Sequence, residues 1–338
     1  MGLKATKEGL EKFLQEAEAE IYAPMDEDGV TLFREWGGEE IRYSYENVVI
    51  PPKEFFLPQH QPLFEYRPEG EPQLLSTEPE KEKRIIFGIR PCDADALALL
   101  DEAFLEDDVD PFYSRRRENT MLIGLACDEP SHNCFCTSTG GSPSSQENLD
   151  VLVTSLNKDQ FYVETSSEKG TDLISANEKF FSSPSKEEME RVEKIKASAE
   201  EKISREIDLD KVEPVLGDIF ESSEWESLCK RCVECGVCTY LCPTCYCFDL
   251  EDVTYPDRVE RNRVWDSCQF PLQSLQTSGH NPREEKAERF KQRIYHKFKY
   301  FLENYGESAC VGCGRCLEKC PVNIDIIQVL KKMVNKHG

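Results

Sequence analysis

The chain has 338 residues, of which 39% are hydrophobic and 10% aromatic, so it can bury the cores of two ordinary domains. No stretch approaches the roughly 18 apolar residues of a membrane helix, and the first 20 residues are too charged for a signal peptide. The net charge of −24 argues against nucleic-acid binding, which needs a basic face. We therefore expect a cytoplasmic protein, in which a chain with 16 cysteines more often binds metal than forms disulfides.

The predicted elements begin with an amphipathic helix and continue as α/β structure. In chain order they are a helix over 6–21, a strand at 30–33, a strand at 84–89, a helix over about 95–105 capped by Asp93 or Asp95, a strand at 120–125, a loop over 137–150, strands at 151–153 and 161–163, a helix over 185–206, and mainly helical structure beyond 215, including 282–305 and 323–336. The order strand, helix, strand over 84–125 predicts a βαβ crossover in a partly parallel sheet.

Charge and cysteines divide the chain into two parts. Residues 1–215 carry 24 Lys and Arg against 47 Asp and Glu, whereas residues 216–338 carry 17 against 18. Twelve of the 16 cysteines lie between 229 and 320. We therefore predict an acidic α/β domain over 1–215 and an α-helical domain over 216–338. The acidity is interpreted as a means of solubility, with a surface for a basic partner as the alternative.

The second part contains an internal repeat of cysteines. The pattern Cys-x2-Cys-Gly-x-Cys-x3-Cys-Pro occurs at 232–243 and again at 310–321. Bacterial ferredoxins hold [4Fe–4S] clusters with this spacing, and in two-cluster ferredoxins the cysteine before proline binds the other cluster. Zinc knuckles also use CxxC pairs, but they have no need of the longer run. The 66 residues between the runs favour an α-helical ferredoxin domain over a compact one.

The ferredoxin rule predicts a crossed set of ligands. One cluster is expected on Cys232, Cys235, Cys238 and Cys320, and the second on Cys310, Cys313, Cys316 and Cys242. Cys229 is excluded, because a frame that starts there reaches its fourth cysteine after two residues rather than three and without proline.

Four further cysteines lie in the first part of the chain. Cys92 follows the first strand of the crossover, Cys127 follows the second, and Cys134 and Cys136 lie on the next loop. Parallel strands end at the same edge of a sheet, where α/β proteins place their sites, so we expect the four thiols to lie close together. A third iron–sulfur cluster, a structural zinc ion and buried free thiols are the alternatives.

Besides Cys229, three cysteines stay outside these sets. Cys245, Cys247 and Cys268 need a fourth ligand to complete a usual metal site, and His280 is a candidate only because it is near in sequence. A metal site and plain packing both remain open for these residues. The chain has no GxGxxG or GxxxxGK[ST] motif and no recognisable Ser/His/Asp arrangement, so no nucleotide or flavin of its own and no catalytic residue are predicted.

Ten short segments resemble one known family. They are IYAP (21–24), VIPPKEFFLP (49–58), RPCD (90–93), LLDEAFL (99–105), LIGLAC (122–127), CFC (134–136), CPTCYC (242–247), WDSCQF (265–270), SGHN (278–281) and CVGCGRCLEKCP (310–321). In this order they are similar to the 4Fe–4S dicluster family, which contains the beta subunit of cytosolic sulfhydrogenases and one of the subunits of anaerobic sulfite reductase. The family shares the seven cysteines outside the two runs but not Cys229, and this favours a third cluster on Cys92, Cys127, Cys134 and Cys136.

The resemblance implies an electron-transfer subunit of a multisubunit oxidoreductase of anaerobic metabolism. Such subunits work beside a flavin subunit that handles NAD(P)H, and a further subunit carries the terminal chemistry of a hydrogenase, a sirohaem sulfite reductase or a heterodisulfide reductase. The resemblance does not choose among these. The competing hypotheses are an enzyme that reduces a sulfur compound at an N-terminal cluster and a zinc-stabilised assembly protein.

Overall fold

The structure is a computed structural model that describes residues 2–67, 73–76, 82–106 and 108–338. Its strands are β1 (Gly2–Thr6), β2 (Glu20–Glu27), β3 (Val30–Glu35), β4 (His60–Arg67), β5 (Gln73–Ser76), β6 (Arg84–Ile89), β7 (Thr120–Leu125), β8 (Val151–Asn157), β9 (Gln160–Thr165), β10 (Phe248–Thr254) and β11 (Val259–Trp265). Its α-helices are α1 (Lys7–Glu16), α2 (Pro91–Leu105), α3 (Pro111–Asn119), α4 (Glu168–Ser175), α5 (Lys186–Glu201), α6 (Val212–Asp218), α7 (Glu224–Leu228), α8 (Val237–Tyr240), α9 (Lys286–Tyr295), α10 (Phe301–Tyr305), α11 (Arg315–Glu318) and α12 (Ile326–His337). Short 3-10 turns lie at Pro52–Phe55, Cys136–Thr139, Glu178–Phe180 and Leu209–Lys211.

The crossover over 84–125 forms the centre of a seven-stranded mixed sheet. Its strand order is β1-β9-β8-β7-β6-β2-β3, in which β2, β6, β7 and β8 pair in parallel and the outer pairs are antiparallel. Strand β6 is buried along nearly its whole length, as expected for a strand covered on both faces. The predicted partly parallel sheet with helices is therefore confirmed.

Helix α2 begins four residues earlier than predicted. Pro91 occupies its first turn, where a missing N–H costs nothing, and Arg90 precedes it without a side-chain cap. Neither Asp93 nor Asp95 caps the helix. Asp93 is instead buried within the first turn, and this places its carboxylate opposite the second cysteine run.

The amino-terminal helix is shorter than its hydrophobic pattern predicts. Thr6 caps α1 by accepting a hydrogen bond from the Gly9 amide at 3.0 Å, and the helix ends at Glu16. Residues 20 and 21 belong to β2 and pair with β6. Tertiary pairing thus overrides the helical period at this end, because a position in the sheet satisfies these backbone groups better than an exposed helix end.

The prediction of mainly helical structure beyond 215 is wrong at 248–265. These residues form the hairpin β10–β11, and a four-stranded antiparallel sheet has the order β10-β11-β4-β5. The hairpin exists because β4 supplies hydrogen-bond partners to β11 from a distant part of the chain. This sheet therefore joins strands from both sides of residue 215, and the division into domains 1–215 and 216–338 stays a prediction.

A second hydrophobic core lies among the carboxyl-terminal helices. It is built from α6, α7, α9 and α12, with Trp225 and Tyr295 at its centre. Helices α9 and α10 are joined without a break by a π-turn over His296–Tyr300. Among the residues that the structure describes, no helix combines the length and apolar character needed to cross a membrane.

Candidate metal centres

Each cysteine run folds as a tight loop with a left-handed glycine before a short helix. Gly236 (φ +73°) precedes α8, and Gly314 (φ +76°) precedes α11. A Cβ atom on Gly236 would lie 2.8 Å from the Phe270 ring, and one on Gly314 would lie 2.8 Å from the backbone of Asn133. Glycine therefore allows both the positive φ and the close approach of neighbouring chain.

The two runs contribute jointly to two cavities. The first is lined by Cys232, Cys235, Cys238, Cys316 and Cys320. The second is lined by Cys242, Cys310, Cys313 and Cys316. Each cavity thus receives three cysteines from one run together with the cysteine before proline of the other, and Cys316 lines both cavities. The structure brings together the two sets of cysteines that the sequence grouped, and their binding of clusters remains a prediction.

Cys242 is held by a buried lysine. Lys297 Nζ donates to Cys242 Sγ at 3.1 Å, to Thr244 Oγ1 at 2.8 Å and to the Ala309 carbonyl oxygen at 2.9 Å. A hydrogen bond from the Cys245 thiol, together with the Lys297 charge, holds the pKa of Cys242 well below its ordinary value. This environment favours the thiolate, which is the form of cysteine that binds metal.

Two more buried cations lie beside the thiols. Lys53 Nζ donates to the Cys245 carbonyl oxygen at 2.7 Å, and Arg293 Nη2 donates to that of Cys238 at 3.3 Å. In the described part of the chain, neither of them nor Lys297 pairs with a carboxylate. A buried cation is costly unless an anion faces it. Thiolates of an iron–sulfur cluster would supply that anion, so the residues present fit such a group.

The four cysteines of the first part of the chain lie at the carboxyl edge of the large sheet. Cys92 is in the first turn of α2, Cys127 follows β7, and Cys134 and Cys136 lie on the next loop. Burial raises the pKa of each thiol. Neighbouring cysteines raise it further: Cys127 and Cys136 raise the pKa of Cys134, and Cys136 also raises that of Cys92. The four residues therefore share one environment.

This N-terminal set packs directly against the second run. The Phe135 amide donates to the Gly312 carbonyl oxygen at 2.8 Å, and Asn47 Nδ2 donates to that of Cys313 at 3.0 Å. Arg315 forms a bidentate ion pair with Asp93, at 2.6 and 2.7 Å, and both side chains are buried. The N-terminal thiols and the second cavity are thus adjacent and fixed relative to each other.

Cys245, Cys247 and Cys268 line a third cavity of about 250 Å³. His280 does not reach it, because that residue is exposed on a turn in which its carbonyl oxygen accepts from the Gln276 amide. His296 of the π-turn lines the cavity instead. Burial lowers the pKa of His296 to about 4, so its ring is neutral near pH 7.

None of the 16 cysteines is in a disulfide. Within the described ranges, no three His, Cys, Asp or Glu side chains are arranged to hold a single metal ion. The thiols surround cavities instead, as cluster ligands do when each thiolate binds a different iron. Cys229 lies outside these cavities; it is 2% exposed and packs in the carboxyl-terminal core.

Sequence reasoning missed Lys53, Arg293, His296 and Lys297. One signal for part of this set is present in the helix over 286–305. Arg289, Arg293 and Lys297 recur every four residues, beside the apolar face that includes Phe290 and Ile294. Cations on a buried helix face indicate an anionic neighbour, because such charges are rarely buried without one.

These loops and cavities define an iron–sulfur protein of the ferredoxin type. Residues 231–324 match the model of a family described as 4Fe-4S dicluster domain. The chain is similar to the sulfhydrogenase 2 subunit beta of Pyrococcus furiosus, with 30% identity over 317 residues, which cover 93% of this chain and 92% of that protein. The chain therefore belongs to the 4Fe–4S dicluster family of the sulfhydrogenase beta subunits. These findings support an iron–sulfur electron-transfer subunit.

Proposed function

We propose that this chain relays single electrons between a flavin subunit that handles NAD(P)H and another subunit that carries terminal redox chemistry. The observation that supports the proposal most is the sharing of two cavities by two cysteine runs. A bound [4Fe–4S] cluster supplies one-electron redox chemistry at such a site. The name of the Pyrococcus furiosus relative identifies a subunit of a multisubunit hydrogenase, so a hydrogenase is one candidate for the terminal partner, beside a sirohaem sulfite reductase and a heterodisulfide reductase.

The proposed ligand sets come from the ferredoxin spacing, and the cysteines that line the two cavities support them. Cys232, Cys235, Cys238 and Cys320 hold one cluster, and Cys310, Cys313, Cys316 and Cys242 hold the second. Cys92, Cys127, Cys134 and Cys136 hold a third, next to the second. Lys297 and Arg293 stabilise the anionic thiolates, and the apolar core that includes α9 and α12 packs beside Cys232, Cys310 and Cys316.

Iron and acid-labile sulfide in anaerobically purified protein test this proposal. About eight irons per chain are expected for the two runs and about twelve when the N-terminal set also binds a cluster. Low-temperature EPR of the reduced protein should show interacting paramagnetic centres. Zinc in place of iron would overturn the relay and favour an assembly role.

The crossed arrangement has its own test in Cys242→Ser. This substitution should damage the cluster held by Cys310, Cys313 and Cys316. The cluster held by Cys232, Cys235 and Cys238, which belong to the same run as Cys242, should stay intact. Cys229→Ser removes a thiol that lines none of the three cavities, so it serves as the control and should leave both EPR signals intact. Loss of the signal of Cys232, Cys235 and Cys238 with survival of the other would contradict the crossing.

The partner subunits are tested by copurification from the native cell. A flavoprotein together with a hydrogenase large subunit, a sirohaem protein or a heterodisulfide-reductase subunit should be recovered with the tagged chain. Reduction of the iron–sulfur centres by NAD(P)H only in the presence of the copurified flavoprotein would support the relay. Reduction by NAD(P)H with the purified chain alone would contradict it.

A further inference from the structure

The third cavity combines four metal-ligating side chains from three segments of the chain. Cys245 and Cys247 come from the segment before β10, Cys268 follows β11, and His296 lies on the π-turn. Cys247 and Cys268 both line this cavity, and the Asp266 amide donates to the Cys247 carbonyl oxygen at 2.9 Å. The hairpin β10–β11 therefore brings two sulfur atoms together that are 21 positions apart in sequence.

The lining of this cavity is cationic. Arg283, Arg293 and Lys297 line it, and the described residues around it include no aspartate or glutamate. Lys53 lies close behind it and donates to the Cys245 carbonyl oxygen. Thiols line one side of this cavity and three cations surround it. Such a site is suited to a negatively charged group of metal and sulfide ions, because the cations offset the negative charge of that group and of the thiolates that bind it.

The described lining residues also form no site for a single metal ion. No three potential ligands among the described residues are arranged to hold a single metal ion, and the cavity has a volume of about 250 Å³. A cluster of several metal ions is consistent with the size of the cavity and with the lack of a single-ion site, because each ligand then binds a different ion.

We propose that this cavity binds a further iron–sulfur cluster, with Cys245, Cys247, Cys268 and His296 as ligands to its irons. The inference rests on the proposed iron–sulfur function and adds a site to it. The cavity adjoins the other two, because Arg293 lines all three. A cluster there is therefore placed to exchange electrons with both runs.

The histidine gives the proposal a spectroscopic test. Pulsed EPR of the reduced protein should detect a coupling from a nitrogen ligand, and His296→Ala should abolish it. The double variant Cys247→Ser/Cys268→Ser should lose about four irons per chain relative to the unaltered protein. His296→Cys should keep the iron but lose the nitrogen coupling, because a thiolate then takes the fourth position.

Two controls separate ligand loss from general damage. Gln292→Ala alters the same cavity without removing a predicted ligand, and Cys229→Ser removes a thiol from elsewhere; both should keep the iron content and the nitrogen coupling. Unaltered iron in the double variant, or a nitrogen coupling that persists in His296→Ala, would overturn the proposed site while leaving the two-run clusters in place. Fewer than about eight irons in the unaltered protein would instead overturn the proposed function.

Discussion

Lys297 controls the charge around Cys242. Its side chain is buried, with only 2% of the residue exposed, and its ammonium nitrogen lies 3.1 Å from the cysteine sulfur. A cation that donates a hydrogen bond to a ligand sulfur favours the reduced, more negative form of the cluster, and so raises its reduction potential. Lys297 is therefore a positioning and tuning residue in the proposed relay.

Lys297→Met should lower the reduction potential of the cluster bound by the second run. A hydrogen bond to a charged group is worth about 1.5–3 kcal/mol, which for one electron corresponds to roughly 60–130 mV. An EPR-monitored redox titration measures the shift. Lys299→Met removes the same charge two residues away, from a side chain paired with Glu213 and Glu303, and should shift the potential much less. Equal shifts in both variants would exclude a role for the direct hydrogen bond.

Glu54 makes the stability of the fold depend on pH. Burial raises the pKa of Glu54 to about 7, against the opposing effect of Arg34. A carboxyl with a raised pKa in the folded state binds more protons there than in the unfolded state, so its contribution is present at low pH and is lost as pH rises from about 4.5 to 7.

Glu54→Gln should therefore stabilise the protein above pH 7, by about 1–2 kcal/mol after allowance for partial exposure. It should have little effect near pH 4.5, where the native side chain is protonated. Thermal unfolding between pH 5 and 8 measures the difference, with Glu40→Gln, an exposed glutamate, as the control. A gain that does not vary with pH would show that ionisation of Glu54 is not the cause.

At the scale of elements, one buried ion pair connects helix α2 with the loop of the second run. Arg315 donates two hydrogen bonds to Asp93 and a third to the Val48 carbonyl oxygen at 3.0 Å. The pair fixes the sheet edge that carries Cys92 against the thiols of the second cavity. Its geometry matters more than its net stability, because a buried pair must first overcome the cost of desolvation.

Asp93→Asn should destabilise the protein by about 3–5 kcal/mol, because it leaves the Arg315 charge buried and without its partner. Urea or thermal unfolding measures the loss. Asp252→Asn, which breaks the exposed pair with Arg261, should cost about 1 kcal/mol or less. The double variant Asp93→Leu/Arg315→Met should recover part of the lost stability. A double variant whose loss of stability equals the sum of the losses in the two single variants would contradict the pairing of Asp93 with Arg315.

At the scale of the whole molecule, the two parts of the chain share a sheet. Strand β11 has β10 on one side and β4 on the other, and Arg263 of β11 donates to Asp110 at 2.5 Å and to Gln61 at 2.6 Å. A separate carboxyl-terminal part would expose this strand edge and leave Arg263 and Arg315 without their partners.

Residues 216–338 expressed alone should therefore aggregate or bind less iron than the full chain, despite containing both cysteine runs. Coexpression with residues 1–215 should restore solubility and iron content, because the missing strand and carboxylates are then supplied. Size-exclusion chromatography with iron analysis measures both. A soluble fragment with about eight irons would show that the predicted domain 216–338 folds independently.

Local features of the fold could be predicted from the sequence, whereas features that depend on distant parts of the chain could not. Strands 84–89 and 120–125 were predictable because a buried parallel strand is a continuous apolar run. The spacing of the two cysteine runs likewise predicted which cysteines line the two cavities, apart from the presence of Cys316 in both. The hairpin over 248–265 was missed because its stability comes from β4, nearly 200 residues earlier. The burial of Lys297 could not be predicted either, because its local sequence does not distinguish it from Lys299, which forms ion pairs with glutamates.

The sharing of cavities between the two runs also bears on how the protein is made. The first run supplies three of the four proposed ligands of its cluster, and the fourth, Cys320, is synthesised 78 positions after Cys242. In the proposed arrangement, neither site has four thiolates until the second run has been translated. Iron insertion must therefore follow translation of both, and a premature stop between them leaves two incomplete sites rather than one finished and one absent.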